Sequence, residues 1–506
     1  MNLVVHLHKH NHLTGDFSIE VLSQLWYDVL IKYTAEETHM SMKDAVKFAR
    51  TTLDYTFSSS RIITYGGLLI PGEMLKAIDF DKKVDKYTKP TKDYKNSEIL
   101  KAMLIGILHG DVDFEAVHET DDDQEFFCNA MHMQQMPSEA TMRQRMDEIG
   151  CSLKQPLRQI VIDLFKHYNI EPSAMDNGFV QIDIDVSPFI DEKCAKEGIS
   201  RTYKLKDGYA PIFAYIGTEG YLLAAELREG KQHCQCGTAE FLREVISLAR
   251  QLTDKPLLIR LDSGNDAAEN IGICMEECYQ GNGIHFIIKR NLRKELPEDW
   301  LESMRDVCKN VTEPREGKKV YIGETFRDVT YTVDNADSGR EEKTVKIRTI
   351  YDITERTCDH DGQMYLIPKV ECDMYSVSVG FPDEDIIELY HKHGEMEQYH
   401  SEIKTDLCAE QLPSGKFDTN ELVLELVQLA YNILRIIGQT TLEMNDIPMK
   451  RPVKRRRLRT VVEHVIMTPA VVVTHARKSH VDLGKSNPWR GAIGFLHQRF
   501  GRKRTS

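Results

Sequence analysis

The stretch "KPLLIRLDSGNDAAEN", residues 255–270, decides how the rest of the chain reads. Leu257, Leu258, Ile259 and Leu261 form a short apolar run, the pattern of a strand buried on both faces. The run ends on Asp262, followed at once by the turn residues Ser263 and Gly264. A carboxylate at the mouth of a buried strand is costly to desolvate unless positive charge comes to meet it. Asp262 therefore marks a candidate site, and the neighbouring segments supply its companions.

Upstream, "FVQIDIDVSPF" (179–189) alternates Val180, Ile182, Ile184 and Val186 with Gln181, Asp183, Asp185 and Ser187, which is strand periodicity. Asp183 and Asp185 sit two apart and so share one face of that strand. "YAPIFAYIG" and "YLLAAELREG" read as two further strands joined at Thr218-Glu219-Gly220, a hairpin signal. "TAEFLREVISLARQL" is an amphipathic helix with Phe241, Val245, Ile246 and Ala249 inward. After the 257–261 strand come a helix from about Ala267 to Cys278 and the strand "HFIIKRN". Three consecutive strands followed by alternating helices and strands predict an α/β mixed sheet flanked by helices.

Further out, "KKVYIGETF", "VTYTVDN", "KTVKIRTIYDI", "GQMYLIPKV" and "MYSVSVG" are short β runs with polar turns between them, a β-rich insertion over 295–381. Helical sequence resumes at "DEDIIELYHKHGEMEQYHSEIKTDLCAEQL", and "TNELVLELVQLAYNILRIIG" reads as a core helix. Before the core, helices are expected at 18–33 and 42–55, in "NSEILKAMLIGILHG" behind an Asn96 or Ser97 cap, and in "PSEATMRQRMDEIG", which exposes Arg143 and Arg145. The last two helices fit either a DNA-reading module or a plain bundle. The chain thus divides into an extension of unassigned role (1–60), a helical region (61–175), a core in two parts (176–294 and 382–445) around the insertion, and a C-terminal region (446–506).

Composition narrows the function classes. A chain of 506 residues that is 41% hydrophobic can bury a large core. No apolar run reaches the ~18 residues a membrane span needs, and the start lacks the layout of a secretory signal. Eleven scattered cysteines, an odd number, suit a reducing compartment, so a soluble cytoplasmic protein is expected. The charge is unevenly placed. Residues 450–506 carry 15 Lys and Arg against Glu463 and Asp482, which is +13; with −14 for the whole chain, the remainder carries −27. A basic tail holding "KRRRLR", with Lys454, Arg455, Arg456 and Arg457, on an acidic body fits either a solvated segment or a polyanion contact.

The chemistry gathers around three acids. On a regular helix seven steps make ~700°, close to two full turns, so Tyr390, Glu397 and Lys404 should lie nearly in line, with His393 one turn before Glu397. With Asp262 and the Asp183/Asp185 pair, carboxylates come from three elements of one α/β unit. Mg2+ prefers such oxygen ligands, and two ions ~4 Å apart can cleave a phosphodiester. A cation would keep all three acids ionised where repulsion alone would raise a pKa, and Lys404 could hold a phosphate as a point charge. "HCQC" (233–236) and "CMEEC" (274–278) offer zinc-binding residue types, but their spacing fits a structural zinc site poorly.

The order strand–strand–strand–helix–strand–helix–strand–helix resembles the ribonuclease-H-like core of DDE transposases of insertion sequences. "DVS" after the first strand is similar to their Asp-x-Thr/Ser, and "RLDSG" to the motif around their second acid. Tyr390, His393, Glu397 and Lys404 resemble the Y-x2-R-x3-E-x6-K signature of a cut-and-paste branch that also carries a β-rich insertion before its Glu. "ITYGGLLIPGEML", "SEILKAMLIGILHG" and "PSEATMRQRMDEI" add to the likeness, which covers roughly 62–460. The resemblance implies Asp185, Asp262 and Glu397 as catalytic ligands of two Mg2+ ions, with Mn2+ able to substitute. It also implies phosphate contacts from Tyr390, His393 and Lys404, double-stranded DNA of element ends and target as partner, a homodimer as the active form, and a nucleoid-associated enzyme. Arg143, Arg145 and the 454–457 run join the DNA-binding candidates. One departure matters: the signature arginine is His393 here, which cannot make the same bidentate phosphate contact. A catalytically silent DNA-binding descendant is the alternative within the family, and a two-carboxylate glycosidase the alternative outside it.

Overall fold

In a computed structural model the strand Leu257–Leu261 has all five side chains buried, as a strand covered on both faces requires. The structure describes residues 60–501 apart from 88–93, 117–123, 193, 336–338, 445–446, 450–451 and 476–477. The helices expected at 18–33 and 42–55 lie outside the described residues. By its internal contacts the chain divides into 1–60 and 61–506, and the fold below is that of the second unit.

The helical region contains α1 (Asn96–Leu108), α2 (Glu139–Ile149) and α3 (Lys154–Tyr168). Ser138 caps α2 as expected, its hydroxyl accepting the Thr141 N–H at 3.3 Å. Neither Asn96 nor Ser97 caps α1. Lys95 takes the cap position, its N–H held by Glu98 at 3.1 Å, while Ser97 sits inside the first turn bound to Asp85.

The sheet is built from β1 (Val180–Val186), β2 (Ile212–Ile216), β3 (Tyr221–Glu226), β4 (Leu257–Leu261) and β5 (Ile284–Lys289), in spatial order β3-β2-β1-β4-β5. β1, β2 and β3 form an antiparallel meander, whereas β4 runs parallel to β1 and β5 parallel to β4. This is the order and polarity of a ribonuclease-H-like sheet. The β2–β3 turn uses Gly217 and Gly220 at positive φ, and a Cβ on Gly220 would lie 2.4 Å from the Tyr399 ring. Helices α4 (Thr238–Arg250) and α5 (Ala268–Tyr279) lead into the two parallel strands.

The five β runs of 295–381 fall in three strands, and a short helix (Pro297–Arg305) and a fourth strand outside those runs precede them. "KKVYIGETF" and "VTYTVDN" merge into the 18-residue β7 (Lys318–Asn335), between β6 (Asn310–Arg315) and the 20-residue β8 (Gly339–Cys358). "GQMYLIPKV" and "MYSVSVG" join in β9 (Met364–Val377). The charged residues between the runs, such as Arg327 and Asp328, are strand positions of a long two-stranded ribbon and not turns. β9 pairs antiparallel with β5 through Tyr375–Lys289, Ser376–Ile288 and Val377–Ile287. The insertion therefore extends the central sheet to nine strands.

After β9 the chain is helical from Asp383 to Asp406, but not uniformly. α6 (Asp383–His391) passes through a 3₁₀ turn (Lys392–Glu395) into α7 (Met396–Ser401), which ends in a π turn (Glu402–Asp406). The 26-residue α8 (Phe417–Leu442) is buried on all sides, as its composition predicts.

The C-terminal region is folded onto the rest of the unit, against the solvated segment that was one of the two readings of its charge. The strand Ala470–His475 sits between Ile62–Ile63 and Lys478–Asp482, and α9 (Arg490–Gly501) packs on the helix Leu69–Ala77. Glu402 ties this region to the core. Its carboxylate is buried between Arg435 of α8 and Arg455 (2.6 Å) and also takes the Leu458 N–H at 3.3 Å. Removing one partner of a buried pair strands the other. Glu402→Ala is expected to lower unfolding stability by about 3–5 kcal/mol in urea titration, with Arg435 left uncompensated.

Candidate active site

β1 and β4 are parallel and in register from Val180–Leu257 to Ile184–Leu261. The next residues along each strand are Asp185 and Asp262, which brings two acids to adjoining strand ends ~4.8 Å apart. Asp262 begins the 3₁₀ turn Ser263–Asn265, and its Oδ1 accepts the Asn265 amide at 2.8 Å. Burial, and then the Asp185 charge, push its carboxyl above the ordinary range; Asn265, His393 and the Gly264 N–H only partly offset this. Gly264 lies close to the Cys234 and Asp262 side chains. A Cβ there would lie 3.0 Å from Cys234 Sγ and 3.3–3.4 Å from the two Asp262 oxygens.

Asp183 and Asp185 both face the irregular helix after β9, yet their surroundings differ sharply. Asp183 is fully buried and takes a bidentate pair from Arg260, at 2.6 and 2.7 Å, plus His393 Nδ1 at 2.9 Å. Burial alone would raise its pKa, but Arg260 and His393 outweigh it and hold the carboxyl below the usual value. Asp185 is about one-third exposed, accepts its neighbour's N–H from Val186 at 2.7 Å, and lies 3.6 Å from His400 Nε2. His400 is itself buried, with Nδ1 on the Tyr215 hydroxyl at 3.1 Å, and burial lowers its pKa. Sequence reading had passed over Tyr215 and His400, although His400 follows His393 by the same seven residues that separate Tyr390 from Glu397.

Glu397 is exposed on α7 and makes no hydrogen bond or ion pair among the described residues. Lys404 is half-buried in the π turn, its Nζ donating to the Pro188 carbonyl at 2.7 Å; burial lowers its pKa. Tyr390 packs on Tyr375 (4.7 Å between centroids) and on His393. Burial and then the Asp262 and Asp185 charges raise its phenol. The straight stripe expected of Tyr390, Glu397 and Lys404 is thus broken. Four 3₁₀ residues turn roughly 20° more each than α residues, and the π turn unwinds the helix before Lys404.

The fields of all three acids meet at Tyr203. Partial burial of its hydroxyl, followed by Asp185 and Asp262 and more weakly Cys234 and Glu397, pushes its pKa up to about 12. The three carboxylates are not closed into one tight cluster. Among the described residues, three ligand atoms lie within 4.8 Å of one another only at Cys151, Asp418 and Glu421. A two-ion site does not need such closure, since outer acids on ions ~4 Å apart need not touch.

The sequence family described as transposase DDE domain group 1 matches residues 46–505. The chain belongs to that family. No curated protein matches it. Among solved structures it is similar to a piggyBac transposase in a synaptic complex with hairpin DNA, at 11% identity over 80% of each chain, with a TM-score of 0.38.

The remaining basic candidates of this transposase are largely engaged within the chain. Arg143 pairs with Glu139 at 2.7 Å and lies over Phe114, and Arg145 binds Glu148 and Asn96. In the C-terminal run, Arg455 is held by Glu402, Arg457 by Asp406 at 2.8 Å, and Arg456 is buried against Thr441. Only Lys454 of that run is simply exposed. His393 is likewise turned inward onto Asp183. The cysteines of "HCQC" and "CMEEC" form no ligand cluster among the described residues. No described helix is long and apolar enough to cross a membrane.

The two aspartates of β1 should therefore respond oppositely. Asp183→Ala leaves Arg260 buried and unpaired and is expected to cost about 3–5 kcal/mol in denaturant unfolding. Because its folded pKa is lowered, this contribution is present above the ordinary value near ~3.9 and lost as pH falls through the folded one. Asp185→Ala is expected to change stability by less than about 1 kcal/mol, since it also relieves repulsion on Asp262.

Proposed function

We propose that this chain is a DNA transposase of bacterial insertion-sequence type. It binds the terminal inverted repeats of its mobile element as a homodimer on nucleoid DNA in the cytoplasm. It hydrolyses a phosphodiester at each end and joins the freed 3′-OH to target DNA by transesterification, without a covalent enzyme intermediate. The observation that carries this reading is the Asp185–Asp262 pair at adjoining parallel strand ends, with Asp262 raised in pKa and in no ion pair among the described residues.

The donor set fits hard divalent ions. Asp185, Asp262 and Glu397 are the acids whose charge is left unneutralised, whereas Asp183 is spent on Arg260. These three would hold Mg2+, two ions with Mn2+ as substitute, through carboxylate oxygens. When bound, the ions supply Lewis-acid polarisation of the phosphodiester and an activated hydroxyl nucleophile. His400, anchored on Tyr215, orients the Asp185 carboxylate. Lys404 holds a strand phosphate as a point charge after leaving the Pro188 carbonyl, and Tyr390 donates its hydroxyl to a neighbouring phosphate oxygen.

The test is cleavage of a duplex carrying the element end. Wild type is expected to nick it in Mg2+ or Mn2+ and not in EDTA, and Asp262→Ala to be slower on the order of a thousandfold or more. Equal rates would overturn the assignment. The silent-descendant reading draws on one observation, His393 buried where the signature arginine belongs. End binding by wild type without cleavage in either ion would favour it.

A further inference from the structure

The connection from β1 to β2, residues 187–211, is longer than a turn needs. It builds a small sheet of its own from Phe189–Ile190, Asp207–Tyr209 and Ser200–Arg201. Its base is tightly clamped: a Cβ on Gly208 would lie 1.9 Å from the Phe189 carbonyl, and one on Gly230 would lie 2.1 Å from that of Ser200. Its tip is closed by buried Thr202, whose N–H and hydroxyl both reach the Lys206 carbonyl (2.9 and 2.8 Å), while Leu205 donates back to Thr202. Leu205 stands at φ 58°. The strained, pinned tip presents Tyr203 at 65% and Leu205 at 71% exposure beside Arg201, Lys204 and Lys206. One exposed aromatic and an exposed leucine thus stand among three cations, in a chain of net charge −14.

The tip overhangs the acids. The Tyr203 hydroxyl donates to the Val186 carbonyl at 3.3 Å, one residue beyond Asp185, while the side chain stays largely exposed. Lys204 Nζ lies over one side of that ring, 6.0 Å from its centroid, and its charge reaches Lys404. An acidic centre repels a nucleic-acid backbone, so a strand crossing it needs cations at the rim and an apolar face for its bases.

We propose that this hairpin is a DNA-strand-binding element of the active site. The Tyr203 ring stacks on a base next to the scissile phosphate, and Lys204 and Lys206 hold the flanking backbone. This rests on the transposase reading above.

The test uses full-length protein and an end duplex with 5-iodouracil on either side of the scissile phosphate. Irradiation in EDTA is expected to crosslink Tyr203. Tyr203→Phe, which keeps the ring, should keep the crosslink and cut faster than Tyr203→Ala. Tyr203→Ala should lose the crosslink and cut about ten- to a hundredfold more slowly, at an unchanged melting temperature. Lys204→Ala and Lys206→Ala should each lower the slope of log Kd against log salt by about 0.7–0.9. If wild type cuts and Tyr203→Ala crosslinks and cuts equally well, the hairpin proposal falls and the transposase reading stands. A Phe variant as impaired as Ala makes the hydroxyl a structural anchor and also refutes stacking. Wild type that neither binds nor cuts the end overturns both.

Discussion

Arg260 has no exposure to solvent. A buried guanidinium is tolerable only where a carboxylate and further acceptors replace its water, and Arg260 finds them on two other elements. Asp183 of β1 takes two of its N–H groups and the Leu389 carbonyl of α6 a third, at 2.5 Å. His393, in the 3₁₀ turn after α6, closes on the same Asp183. One ionic knot thus fixes β4, β1 and the irregular helix, the elements that carry Asp262, Asp185 and Glu397. The knot also sorts the aspartates: the one drawn inside is neutralised, and the one two residues later is left open at the strand end. Placement and charge state of the centre share this cause.

The helix that carries Glu397 shows what the knot costs in regularity. A straight α-helix starting at Asp383 cannot turn His393 onto Asp183, His400 onto Asp185 and Lys404 onto the Pro188 carbonyl while Glu397 stays outside. The 3₁₀ and π turns absorb the difference in phase, and π turns of this kind recur where side chains are aimed for function. Glu402, in that π turn, is then secured by Arg435 and Arg455, so the irregular segment is held at both ends by buried charge.

Much of this was legible in residue order. Period-two alternation in 179–189, the buried run at 257–261 and the 218–220 turn were enough for the strands and a mixed sheet, because each depends on local chain pattern, while the order of the strands was implied by the family resemblance. The helix register was not legible, since seven-residue spacing assumes ~100° per residue and nothing local announces an over- or underwound turn. The insertion's continuity with the core sheet was hidden too, because the β9–β5 pairing joins residues more than eighty positions apart through backbone groups that carry no sequence signal. Asp183 and Asp185 could not be separated by spacing. What separates them is Arg260, which the "RLDSG" motif contains but whose partner only the fold reveals.

Charge asymmetry was the most misleading signal. Residues 450–506 are rich in arginine, yet a guanidinium already held by a carboxylate attracts phosphate only as far as that pair can open. Arg457 is half exposed on Asp406, and a phosphate can compete for it. Arg455, 14% exposed on Glu402 and stacked over Tyr399, and Arg456, buried against Thr441, would have to abandon core contacts first. The run therefore serves mainly to dock the C-terminal region on the π turn beside the acids. On the proposed reading, attraction for a polyanion then falls to cations that make no ion pair among the described residues, and near the acids these include Lys404, which spends only a carbonyl bond, and the lysines Lys204 and Lys206 of the 200–209 hairpin. On that reading a net charge of −14 gives no long-range attraction for DNA, so contact would rest on these cations at the rim of the centre, within a Debye length of about 8 Å.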